Sequence, residues 1–171
     1  MRTGVLAAAL GALLAGCSGV TSSPAPAASA TADSPASATA DSPASATADP
    51  AAYAEDLFAR TNDERAGLDL EPLEPSECAQ QAATQRAEAL VGGDELVHAP
   101  MQSLLEECGV DRAAENLVRS DATAEEVVAA WMDSPGHRNN IVDPDMTALG
   151  IGCVPDGAEL LCSQIYLRLG G

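Results

Sequence analysis

The chain holds two histidines, His98 and His137, and each stands in a polar stretch rather than in an apolar run. Imidazole titrates near neutral pH and binds metals, so such residues can do acid–base or ligand chemistry. A histidine in a loop can equally do no more than hydrogen-bond or meet solvent. His137 is followed by Arg138 within the polar stretch from Trp131 to Ile141. There the imidazole could simply bond to carbonyls freed at a helix end, and Arg138 could contact an anion or pair with one of many acids. Ser134 stands three residues before His137, which raises a serine–histidine hydrolase. A serine before proline at a helix end is more often turn chemistry, and no strand–turn–helix elbow surrounds it. Glu115 and Asn116 form a third polar feature, which could also be a loop that satisfies its own backbone.

These residues need elements to position them. The pattern predicts a helix from Ala51 to Arg65, with Tyr53, Leu57 and Phe58 on one side and Gly67 ending it. A second, alanine-rich helix is expected from Ser76 to Val91, stopped by Gly92 and Gly93, and a short helical turn over Ser103 to Cys108. Thr123 and Glu126 make a capping box for a third substantial helix that carries Val127, Val128 and Trp131 inward. Ser134, Pro135 and Gly136 should stop it. Ala148 to Val154 and Glu159 to Leu169 read as strands, apolar enough to be covered on at least one face. Helices before and between strands favour an α/β sandwich.

Four cysteines follow Cys17, namely Cys78, Cys108, Cys153 and Cys162. An even number in an exported domain suggests two disulfides, with three connectivities. Pro155, Asp156 and Gly157 mark a hairpin turn that should bring Cys153 and Cys162 together. A loop of Asp156 to Glu159 sets them directly opposite, whereas a two-residue Asp156-Gly157 turn would set Cys153 against Leu160. If Cys153 and Cys162 pair, Cys78 and Cys108 are left for each other. No CxxC spacing supports a cysteine metal site.

The front of the chain differs. Met1 to Cys17 has one basic residue, an apolar run from Val5 to Leu14 and then small residues. The run is too short to span a bilayer and reads as a signal peptide. Leu14-Ala15-Gly16-Cys17 resembles the lipobox of bacterial lipoproteins, which implies a lipid on the Cys17 thiol and anchoring to the membrane. The alternative is a plain secreted protein with an incidental cysteine. A period-eight repeat of Ala, Ser, Thr, Asp and Pro begins at Ser29 and runs to Pro50. It has no large apolar side chains to bury, so residues 18–50 are expected to form a disordered tether. The globular part is expected over 51–171. From Ala51 on there are 23 acids, seven arginines and no lysine. Phosphate binding needs a basic footprint, which argues against a nucleic-acid partner.

The domain resembles the CAP superfamily (cysteine-rich secretory, antigen 5 and pathogenesis-related 1 proteins), in particular its small bacterial branch. The residues that carry the likeness run in order: Asn62 to Arg65, Leu70 to Leu73, His98, Glu115-Asn116-Leu117, Trp131 to Arg138 with Asn140 and Ile141, Thr147, and Gly150-Ile151-Gly152. The resemblance implies a three-layer α/β/α sandwich with a cleft in which two histidines and two glutamates gather, and in some members a divalent metal, often zinc. His98, Glu115 and His137 match three of the four. The second glutamate of larger members falls on Ser134 here. Two imidazoles and a carboxylate are a ligand set for zinc that leaves a position for water, with His98 and His137 as ligands and Ser134, Asn116 and Arg138 as further cleft residues. Zinc would lower the pKa of that water, and Glu115 could serve as base. If Glu115 ligates, it is not also the base. The functions implied are a ligand-binding module for a lipid, peptide or cell-wall fragment, a zinc-dependent hydrolase, or an envelope interaction protein that uses its acidic face.

Overall fold

The structure is a computed structural model that describes residues 49–170. The leader, Cys17 and the repeat up to Ala48 lie outside the described residues.

The first helix, α1, spans Pro50–Ala66. Asp49 caps it by accepting from the Ala51 N–H at 3.0 Å, and proline suits the first helical position because its missing N–H has no partner there. A two-residue strand, β1 (Glu74–Pro75), precedes α2 (Glu77–Leu90), whose N-cap is Ser76. Next come α3 (Met101–Cys108), ended by Gly109 in the left-handed conformation, and β2 (Ala113–Ser120). Helix α4 (Ala124–Asp133) starts at the Thr123/Glu126 capping box, with both of its reciprocal bonds present. Strands β3 (Ala148–Asp156) and β4 (Glu159–Leu167) close the chain.

Two elements differ from the sequence expectation. Pro135 does end α4, but it also begins a further helix, α5 (Pro135–Ile141), so His137 sits within a helix and not in a turn. Proline cannot continue a helix yet is preorganised to start one. Glu115 and Asn116 lie in β2 and not in a loop. The strand was illegible because its alternation is interrupted by charged residues that fulfil specific contacts.

The sheet has the order β1-β3-β4-β2; β1 runs parallel to β3 and the other pairs are antiparallel. One face packs Leu149, Ile151, Cys162 and Tyr166 against Leu57 of α1, Val127, Val128 and Trp131 of α4, and Ile141 of α5. The other packs Ala148, Ile165 and Leu167 against Ala79, Ala82 and Ala83 of α2 and Leu104 of α3. The result is an α/β/α sandwich, as expected. Its second interface is thin because both sides are small. A Cβ on Gly150 would stand 2.0 Å from the Gln80 backbone N, and one on Gly152 would stand 2.3 Å from that of Thr84. Glycine is required there by the helix backbone lying against the strand.

Both disulfides form as expected. Cys78–Cys108 ties the start of α2 to the end of α3, and Cys153 stands directly opposite Cys162. The register is that of the Asp156-to-Glu159 loop, with Gly157 at φ 68°.

The run Asn62 to Arg65 acts on the loops around it. The Asn62 amide donates to the Leu73 carbonyl at 3.1 Å and accepts from the Leu73 N–H at 2.8 Å. Arg65 is 1 % exposed. Its guanidinium donates to the carbonyls of Glu71, Ile141 and Asp143 at 2.7 to 2.9 Å. Burial lowers its pKa, opposed by nearby Tyr166 and Asp143. One side chain thus fixes the end of α5 to the end of α1.

Substituting Gly150→Ala should destabilise the domain by about 3 kcal/mol, the upper range for overpacking, since backbone must move. Urea denaturation with disulfides intact measures this; a loss below about 1 kcal/mol would show that α2 moves away freely.

Candidate functional site

The site is assembled at the β2 edge of the sheet. Successive strand residues point to opposite faces, and Glu115 pairs with Ile165, which packs toward α2. Its side chain therefore enters the α2 layer, and only 2 % of it is exposed. A carboxylate buried this far needs compensation, and three side chains supply it. Ser163 of β4 donates its hydroxyl to Oε1 at 2.7 Å. On Oε2, Arg86 of α2 approaches to 3.4 Å and His98 Nδ1 to 2.8 Å. An ionised carboxylate only accepts hydrogen bonds. Nδ1 of His98 therefore carries the hydrogen, and in the neutral ring Nε2 keeps its lone pair. The His98 side chain is half exposed, so that nitrogen can meet a ligand. This is the carboxylate–imidazole arrangement that orients a histidine.

Arg86 is a residue that sequence reading missed. Its guanidinium also donates to the carbonyls of Ala99 at 3.2 Å and Pro100 at 3.0 Å, immediately after His98. It both neutralises Glu115 and moors the loop that carries His98. Its only sequence signal was a lone basic residue on an alanine-rich helix, which ordinarily means a solvated face. Ser163 gave no signal at all, being one polar position within an apolar strand.

His137 approaches from α5. Its pKa is lowered, first by burial and then by the charge of His98. It lines a groove of about 360 Å³ along β2 with Trp131, Ser134, Val118 and Glu126. Glu115 lines a separate hollow of about 220 Å³ with Arg86, Val97 and Leu104. Trp131 is buried, as its spacing from Val127 implied, and its Nε1–H reaches the Leu117 carbonyl at 3.4 Å. Asn116 points to the face opposite Glu115 and is fully buried. Its amide donates to the His137 carbonyl at 3.3 Å and to Gln164 Oε1 at 3.0 Å. Asn140 donates to the Glu115 carbonyl at 3.1 Å and to Asn116 Oδ1 at 2.9 Å. Arg138 is exposed on α5 and joins no ion pair among the described residues. Ser134 lines the His137 groove without a bond to that imidazole among the described residues.

Among the described residues no group of three or more His, Cys, Asp or Glu side chains stands arranged to hold a metal ion. Glu115 does not fit as a ligand, because its oxygens already accept from Ser163, His98 and Arg86, and a guanidinium beside it repels a cation. The donors left for a cation would be the two imidazoles, with Glu115 behind His98 as the partner that orients it.

The lowered pKa of His137 has a direct consequence for stability. Between the ordinary value of 6.5 and the lower folded value, the unfolded chain binds a proton that the folded chain does not. Stability is complete above 6.5 and falls as pH drops through that window. His137→Gln should abolish this part of the acid sensitivity, and an unchanged slope of melting temperature against pH would refute the assignment.

The sequence of residues 58–166, more than half of the chain, matches the family model of CAP, the cysteine-rich secretory protein family. The protein YkwD of Bacillus subtilis is 33 % identical over 116 residues, covering 63 % of this chain and 45 % of its own. This chain thus spans less than half of that relative. A cysteine-rich secretory protein from Staphylococcus aureus superposes with a TM-score of 0.63 at 18 % identity, covering 71 % of this chain and 40 % of that one. An outer surface protein from Borrelia burgdorferi gives 0.61 at 19 % identity, covering 70 % and 95 %. At such identities the two structures speak for the fold alone, and the family match over 58–166 speaks for descent: the chain belongs to the CAP family of cysteine-rich secretory proteins.

Proposed function

We propose that this protein is a binding module that holds a ligand at the His98–Glu115–His137 site without turning it over, displayed outside the cytoplasmic membrane on a lipid anchor at Cys17. The observation that carries the reading is the saturation of Glu115. Its side chain is 2 % exposed and both oxygens are engaged by Ser163, His98 and Arg86. A general base must reach the proton that it removes, and this carboxylate is committed to orienting His98. A hydrolase would need another base, and the second glutamate of larger relatives is Ser134 here. His98 and His137 would hold a divalent metal, zinc first among them, and the metal when bound would polarise a ligand carbonyl or hydroxyl as a Lewis acid. The ligand classes proposed, from the family resemblance, are a lipid, a peptide or a cell-wall fragment.

Location rests on the Leu14-to-Cys17 lipobox and on two disulfides, which persist in oxidising compartments. No helix among the described residues is long and apolar enough to cross a membrane.

Zinc calorimetry on the full chain tests the site. One ion per chain should bind, with binding lost in His98→Ala and in His137→Ala. Glu115→Gln should keep binding but weaken it by about tenfold, the effect of losing an orienting partner. Absence of zinc binding would remove the metal, and complete loss in Glu115→Gln would make Glu115 a ligand. A separate labelling experiment with a radioactive fatty acid should mark the wild-type chain and not Cys17→Ala; an unlabelled wild type would mean a secreted protein without the anchor.

A further inference from the structure

The sandwich has a second opening, at the sheet edge opposite the histidines. Strand β3 is nine residues long, but β1 beside it has only two. The last bond between them runs from the Ser76 N–H to the Leu149 carbonyl at 3.0 Å. Among the described residues, no strand pairs with β3 on that side beyond Leu149. The next outward amide, that of Ile151, is met by a side chain instead: Gln80 Oε1 accepts from it at 3.1 Å. Gln80 is itself exposed, so it can be displaced. By strand alternation the outward backbone of Cys153 comes next.

This unfinished edge is the floor of a slot of about 480 Å³ between α1 and α2. Ala54 and the half-buried Phe58 form the α1 wall, and Leu149 and Ile151 form the base. Glu55 rises from α1 and Glu77 from α2, both exposed; neither forms an ion pair among the described residues, and no basic side chain lines the slot. A slot floored by a strand edge whose next amide is held only by a displaceable side chain, with apolar walls and a carboxylate on each rim, selects an extended chain with positive side chains. Main-chain bonds supply affinity in such strand addition, and alternate side chains supply specificity.

We infer that the slot between α1 and α2 is a peptide-binding site, in which a basic segment in extended conformation adds to the open edge of β3 beyond β1 and displaces Gln80. The inference is independent of the histidine site, which lies at the opposite edge of the sheet. Open edges are commonly blunted by short strands and charge; here the walls that guard the edge also make it selective.

Fluorescence polarisation of a labelled five-residue peptide alternating lysine and valine, added to the full chain, tests this. Binding is expected, with no binding by the matching glutamate–valine peptide. A copy N-methylated on the amides that would face β3 should bind about tenfold more weakly for lost main-chain bonds. Glu55→Gln with Glu77→Gln should weaken binding about fivefold, and Ala51→Trp, at an exposed position on the slot wall, should abolish it with circular dichroism unchanged. No binding, equal binding of the acidic or methylated peptide, or survival in Ala51→Trp overturns the proposal. Binding that emerges only after deletion of residues 18–48 also overturns it, since the slot would then be filled by this chain.

Discussion

Much of this structure hangs on a line of hydrogen bonds buried in the larger core. Thr61 of α1 accepts from Gln164 Nε2 at 2.8 Å and donates to the Leu57 carbonyl at 2.8 Å. Gln164 Oε1 receives the Tyr166 hydroxyl at 2.6 Å and the Asn116 amide at 3.0 Å, and Asn116 passes the line to Asn140 of α5. Thr61, Asn116, Gln164 and Tyr166 are fully buried. Burial also raises the Tyr166 pKa well above 10, so the phenol stays a donor. In a dry interior each unmade bond would cost about 1 to 3 kcal/mol, so the members stand or fall together. The line joins α1, β4, β2 and α5, which include the elements that carry Glu115 and His137. Hydrophobic contact alone would let α5 slide; directional bonds fix where it presents its imidazole.

Arg65 closes the same arrangement from the other end. It places a charge in the core that, among the described residues, forms no ion pair and is satisfied instead by main-chain carbonyls at the end of α5 and in the loop after it. Such an arrangement costs desolvation, and the geometry of two loops, those after α1 and after α5, depends on it. The motif from Asn62 to Arg65 is thus architectural, although its polar character suits a surface.

On the opposite face, constraint comes from smallness. Gly150 and Gly152 let α2 lie against β3, where the backbone of Ala79, Gln80 and Thr84 meets them. That closeness brings Arg86 down to Glu115, and the Cys78–Cys108 bridge holds α3 beside it. The two faces therefore position the site by different means, one by polar bonds and the other by close approach. His98 depends on the second and His137 on the first.

The sequence by itself determined the helices with clear caps, the cysteine hairpin and the acidic composition, and it offered three candidate site residues. Ser76, the Thr123/Glu126 box and Pro155-Asp156-Gly157 are local signals, and local physics decides them. Resemblance carried His98, Glu115 and His137, but not what Glu115 does. Only the tertiary structure decided that its carboxylate is saturated, because Arg86 and Ser163 lie 29 and 48 residues away and neither position has a local pattern. It likewise decided that Asn116 turns toward α1 and α5 while its neighbour Glu115 turns toward α2. That choice depends on which face of β2 meets α2, and sheet register is set by strands distant in sequence.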